Sequence, residues 1–159
     1  LRVPWIARWP GQVPAGQTSS VPTAFWDVLP TLAELGGAKA PKGIDGVSMA
    51  GVLKGKAAPK REALYWEQLT PQKLTRALRM GRWKVYQEKA GAPLELYDLD
   101  QDPAEAKDAA GAHPEVVKRA EAILAKSRTE TAIPTVDPRI WEKHKLDNAA
   151  LDAMMGIVR

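Results

Sequence analysis

Asp98, Asp100 and Asp102 stand at alternate positions, the spacing with which carboxylates open a calcium loop. Such a loop then needs Gly for its sharp turn and a bidentate Glu at its twelfth position, and Pro103 and Ala109 occupy those places. The three aspartates are therefore read as turn and cap residues between a strand and a helix. Gly46-Val47-Ser48-Met49-Ala50-Gly51 has one residue too many for a nucleophile elbow, and no strand is expected ahead of it. Gly51 to Lys56 is too short between its glycines to cradle a phosphate. The two histidines, His113 and His144, lie far apart and the chain has no cysteine, so neither a transition-metal site nor thiolate chemistry is expected. His113 reads as a cap or surface residue ahead of Pro114, and His144 as exposed between Lys143 and Lys145. One constellation remains. Trp66-Glu67-Gln68 sets an aromatic beside a carboxylate at a strand end, which can rim a sugar or aryl pocket. The plainer reading is a core tryptophan beside a solvated glutamate.

The elements that place these groups change character across residues 57–61, which read as a linker. Ahead of it, residues 2–9 alternate, with Val3, Trp5, Ala7 and Trp9 on one face and Pro4, Ile6 and Arg8 on the other. That pattern predicts a strand, and bulky apolar groups on both faces imply burial on both sides in a larger sheet. Pro4 puts it at an edge or strand start, and Pro10-Gly11 ends it. Asp27 reads as a helix N-cap with Pro30 in the first turn. Leu29, Leu32 and Leu35 form an apolar stripe on that helix, and Gly36-Gly37 stop it. Asp45-Gly46 is a turn, after which Ser48 caps a short helix ending near Gly55.

Beyond the linker, strands are predicted over 63–68, 75–80, 83–88 and 94–99, with Gly81-Arg82 and Ala90-Gly91-Ala92 as tight connections. The last three are spaced for an antiparallel meander; the first is less firmly tied to them. Asp102-Pro103-Ala104-Glu105 has the order of a helix-opening capping box. His113-Pro114 opens a helix to about residue 128, with Val116, Ala120, Ile123, Leu124 and Ser127 inward and packed on the sheet. Further helices are expected from Asp137-Pro138 and from Asp147.

With 159 residues, 45% of them hydrophobic, the chain has enough material for a core. No apolar run of about 18 residues occurs, so no membrane-spanning helix is expected. No charged-then-apolar leader follows Leu1, and no targeting signal is read there. A net charge of +4 raises the question of nucleic acid. The densest basic stretch (Lys73, Arg76, Arg79, Arg82, Lys84) falls on predicted strands with few aromatics for stacking bases, so a solvated face is preferred and no nucleic-acid partner is expected.

Four phrases in order, Arg2-Val3-Pro4-Trp5-Ile6-Ala7-Arg8-Trp9-Pro10-Gly11, Asp27-Val28-Leu29-Pro30-Thr31-Leu32, Asp45-Gly46-Val47-Ser48 and Glu95-Leu96-Tyr97-Asp98-Leu99-Asp100-Gln101-Asp102-Pro103, carry a family resemblance. With Leu64-Tyr65-Trp66-Glu67, Arg79-Met80-Gly81-Arg82-Trp83-Lys84-Val85 and His113-Pro114-Glu115, they resemble the C-terminal third of an arylsulfatase-type sulfatase of the alkaline-phosphatase-like superfamily. The resemblance implies an α+β chain. Residues 1–58 would be the last strand and helix of a large α/β domain and 59–133 a four-stranded antiparallel subdomain with a packed helix, while 134–159 depart from the family pattern and are read as a helical tail extension. It also implies that the formylglycine and calcium of such enzymes sit in an upstream part. No Cys/Ser-x-Pro-x-Arg motif for formylglycine occurs here, so no catalytic, cofactor or metal residue is carried over.

The parent would hydrolyse a sulfate ester, and this piece alone would be inactive. The loops at 66–71 and 87–92 would approach the substrate, which makes Trp66, Glu67 and Gln68 the candidate pocket rim. Without the large domain, Val3, Trp5, Trp9, Phe25, Trp26 and Leu29 would be uncovered. The first ~30 residues are then expected to be disordered or to bury strand 1–9 in a homo-oligomer contact. Two alternatives are a non-catalytic carbohydrate- or protein-binding module and a phosphoesterase or phosphonate hydrolase of the same superfamily.

Overall fold

Between Leu64 and Asp98 the alternating pattern becomes a four-stranded antiparallel meander: β1 Leu64–Leu69, β2 Leu74–Met80, β3 Trp83–Gln87 and β4 Glu95–Asp98, in that spatial order. The computed structural model describes residues 3–69, Leu69 by its backbone alone, and 73–128. The helices expected from Asp137 and Asp147 lie outside the described residues. Two compact units divide the chain, one ending at Arg61 and one beginning at Glu62.

In the second unit, β1 joins the meander and completes the expected sheet. Tyr65, Leu78, Val85 and Leu96 stand directly opposite one another across the four strands. Strand side chains alternate between faces, so this row sits on one face, and Leu78, Val85 and Leu96 are fully buried there. The helix α3, Pro114–Ser127, packs Ala120, Ile123 and Leu124 against them. Each large apolar side chain buried in this way contributes about 1.5–3 kcal/mol. Gly81 makes the sharp β2–β3 connection at a φ of 58°, which glycine adopts without a Cβ clash.

The capping box predicted after β4 does not open a helix. The Asp102 carboxylate accepts from the amides of Ala106 (3.1 Å) and Lys107 (2.9 Å), closing a loop instead. Those amides hold its carboxyl below the usual range. Glu105 adopts a φ of 57°, and its side chain pairs with Lys84 rather than reaching back to the cap. Asp98 also serves the turn, accepting from the Asp100 amide at 3.2 Å.

Asp108 then ties the loop to the sheet, its Oδ1 accepting from the amides of Leu96 and Ala110, each at 2.9 Å. Asp108→Ala leaves both donors without that acceptor and is expected to cost about 1–2 kcal/mol in chemical denaturation. Asp108→Asn, which retains an acceptor, is expected to cost less. His113 precedes Pro114 but does not cap α3 with its ring. The ring lies 4.7 Å from that of Trp83, tilted by 54°.

In the first unit, residues 3–9 belong to no strand. A strand exists only against a neighbour, and the described residues offer this segment none. The turn that ends it is as expected, with Gln12 and Val13 donating to the Trp9 carbonyl at 3.0 and 2.9 Å. A 3-10 turn over Phe25–Asp27 leads into α1, Val28–Leu35, and a short α2 spans Ala50–Leu53. Gly37 closes α1 at a φ of 74°, and the Ser48 hydroxyl accepts from the Ala50 amide at 3.2 Å. The buried residues of α1 are Pro30 and Thr31, whereas Leu29 and Leu32 of the predicted stripe are exposed. Ile6 is 88% exposed and Phe25 80%, with Val3, Trp5 and Trp9 also open.

Candidate functional site

The sheet brings the two loops expected to meet substrate to the same end. Gln68 stands opposite Thr75 on β2, and the Thr75 hydroxyl donates to the Glu88 carbonyl at 3.1 Å, just past the end of β3. Residues 66–69 and 87–92 therefore share one edge of the second unit. The candidate rim itself is split. Trp66 and Gln68 face away from the core row of Tyr65, whereas Glu67 shares the Tyr65 face.

Glu67 is exposed, yet its carboxylate is held by two partners. It accepts from the Tyr65 hydroxyl at 2.5 Å and from Arg128 Nε at 3.2 Å. Burial and that bond to Glu67 push the Tyr65 hydroxyl pKa well above its ordinary value. The half-buried Trp66 lies in a cross-strand row with Ala77, Tyr86 and Glu95. A comparable pair sits on β4, where Tyr97 donates to Glu95 at 2.5 Å and its hydroxyl is pushed up to about 12.

On the helix face of this end, a recess of about 480 Å³ opens between the β3–β4 turn and α3. Arg76, Gln87, Ala92, Leu94, Glu121 and Leu124 are among its walls. Gln87 is 6% exposed. Its Oε1 accepts from Arg76 Nε (2.9 Å) and Nη2 (2.5 Å), while its Nε2 donates to the Ala92 carbonyl at 2.7 Å. Sequence reasoning counted Arg76 only within a basic stretch. The signal it missed is register: Arg76 alternates with Leu78 and Met80 on the core face.

The first unit has a different centre. Asp27 was expected to cap α1 but makes no such bond. Its fully buried carboxylate accepts from the Val47 amide (3.0 Å), the Ala24 amide (2.9 Å) and Arg61 Nη1 (2.9 Å), with Arg61 Nη2 on its other oxygen. The adjacent Thr31 hydroxyl donates to the Asp27 carbonyl (2.5 Å) and accepts from the Met49 amide (2.8 Å). Burial alone would raise the Asp27 pKa, but the Arg61 guanidinium and the two amides outweigh it and hold the carboxyl below its usual value. Arg61, read as part of a linker, is a structural partner. The Asp27 and Asp45-Gly46-Val47-Ser48 phrases are thus one buried clip rather than a reaction centre.

Among the described residues, no three His, Cys, Asp or Glu side chains gather to hold a metal ion. No helix there is long and apolar enough to cross a membrane. What the geometry offers is an α+β scaffold with an open recess at one end of its sheet.

Comparison with known proteins identifies the scaffold. Over residues 1–130 the chain matches the family described as N-sulphoglucosamine sulphohydrolase, C-terminal, and it belongs to that family. It is 31% identical to the ulvan-active sulfatase of Formosa agariphila, covering 66% of this chain and 28% of that protein. It is 29% identical to human arylsulfatase A, covering 84% of this chain and 32% of the relative. A solved 2-O GAG sulfatase superposes with a TM-score of 0.55 at 28% identity, over 72% of this chain and 27% of that one. The chain thus spans about a third of the length of the curated relatives it matches.

Proposed function

We propose that this chain is the C-terminal part of a sulfate-ester hydrolase whose formylglycine and calcium are held by residues outside positions 1–159. The observation that carries the reading is the match across residues 1–130 to a sulfatase C-terminal region, set against relatives about three times as long. The described residues do not fit either group. There is no cysteine, no Cys/Ser-x-Pro-x-Arg motif, and Asp98 and Asp102 accept from loop amides. On this reading the chain contributes no group to sulfuryl transfer, and alone it is inactive.

Its two units have separate tasks. The exposed Val3, Ile6, Phe25, Leu29 and Leu32 form the apolar surface that packs on a larger α/β sheet. The second unit presents its 66–69 and 87–92 edge to the substrate, with Trp66 as a ring against which a sugar or aryl group can lie. A sulfated polysaccharide is the favoured substrate class, because relatives are named for ulvan and for GAG.

The test is sulfate release by the full-length protein from aryl sulfates and sulfated saccharides, with a phosphonate monoester alongside. Sulfate esters should turn over at least about a hundred-fold faster than the phosphonate, a gap of ~3 kcal/mol in barrier. Preference for the phosphonate would move the reading to the phosphonate-hydrolase alternative. Saccharide binding without turnover of any ester would favour a binding module.

A further inference from the structure

We propose that the recess beside Arg76 binds an anionic group of the saccharide other than the ester being cleaved, either a second sulfate or a carboxylate. The proposal rests on the reading of the parent as a polysaccharide sulfatase. Among the described residues Arg76 is an oriented cation without an ion-pair partner. Its cross-strand partner on the same face is Glu67, which is taken by Tyr65 and Arg128 instead. No carboxylate among the described residues forms an ion pair with Arg76, whereas Lys73, Arg82 and Lys84 of the same basic stretch pair with Glu88, Asp98 and Glu105.

The neutral Gln87 amide fixes the guanidinium and is itself pinned to the Ala92 carbonyl, so the group is oriented by a neutral partner rather than by a carboxylate. Among the described residues Arg76 Nη1 donates to no partner, and its N–H groups can donate to a sulfate or carboxylate oxygen. Pro93, Leu94 and Leu124 add apolar walls suited to the face of a pyranose ring. Glu121 on the α3 side is the one acidic wall and opposes an anion there. The recess also borders the 87–92 turn, on the edge assigned to substrate.

Binding to the full-length protein is measured by calorimetry with three probes: a multiply sulfated heparin disaccharide, its desulfated counterpart and inorganic sulfate. Arg76→Gln is expected to weaken the sulfated disaccharide about ten-fold and leave the desulfated one unchanged. Arg76→Lys should recover part of the loss, and Glu121→Gln should tighten binding about two-fold. In turnover, Arg76→Gln should raise KM for a multiply sulfated saccharide by about the same factor, with kcat unchanged and a monosulfated aryl ester unaffected. Equal Kd values for wild type, Arg76→Gln and Glu121→Gln overturn the proposal, even where sulfate release upholds the sulfatase reading. Arg76-dependent binding that inorganic sulfate matches in affinity overturns the saccharide part. If no ester turns over, the sulfatase reading fails, while the binding data still report on the recess.

Discussion

Arg61→Met is expected to destabilise the first unit by about 3–5 kcal/mol, because it strands the Asp27 carboxylate in a fully buried position without its cation. In thermal unfolding of a unit of this size, that corresponds to a fall of at least about 12 °C. Arg61→Lys should recover only part, since an ammonium cannot reproduce the forked contact with both carboxylate oxygens. Asp27→Asn together with Arg61→Met should cost less than the two single changes added, since neither partner is then a lone buried charge. A strictly additive pair would show that the two side chains do not act together.

The same clip sets the acid response. The Asp27 carboxyl is held below its ordinary 3.8, so its contribution is fully present above that value and is lost as pH falls through the lower, folded one. Wild type should therefore lose stability steeply in the window below about pH 4. Arg61→Met, without the guanidinium that lowers the folded pKa, should show a much shallower slope there.

Gly46→Ala is the second large effect. A Cβ at this position would stand 2.0 Å from the Trp26 carbonyl oxygen, 2.8 Å from its carbonyl carbon and 3.0 Å from Pro30 Cγ. Two of these atoms are backbone, and they immediately precede Asp27, which is fixed by four hydrogen bonds. Neither side can yield without opening the clip, and a loss of more than about 4 kcal/mol is expected. Gly51→Ala in α2 is the contrasting case. Its added methyl would meet only the Lys56 Cβ at 3.7 Å, and the change should be neutral or stabilise by up to about 1 kcal/mol. Equal denaturation midpoints for the two variants would contradict this account of why glycine follows Asp45.

The second unit was largely legible in the sequence because its signals are local. Alternation set the faces of β2 and β3, Gly81 marked their connection, and His113-Pro114 marked the start of α3 within a residue. The misses share a cause, which is partners distant in sequence. Asp27 looked like a cap because its nearest free amides lie in α1, yet its cation is Arg61, thirty-four positions on. Glu105 fitted a capping box by spacing, but Lys84 drew it away. Residues 3–9 had the alternation of a strand but, among the described residues, no neighbour to pair with. Of the candidate rim, Trp66 and Gln68 share a face, while Glu67 is turned to the other by the two-residue period of β1. Arg76 was hidden by its company of basic residues, and only the register revealed that it points with the core.

The most direct test of the central claim is sulfate release from an aryl sulfate and a sulfated saccharide, measured side by side for residues 1–159 and for the full-length protein. The account predicts turnover by the full-length protein and none by residues 1–159. Sulfate release by residues 1–159 at the rate of the full-length protein would contradict it.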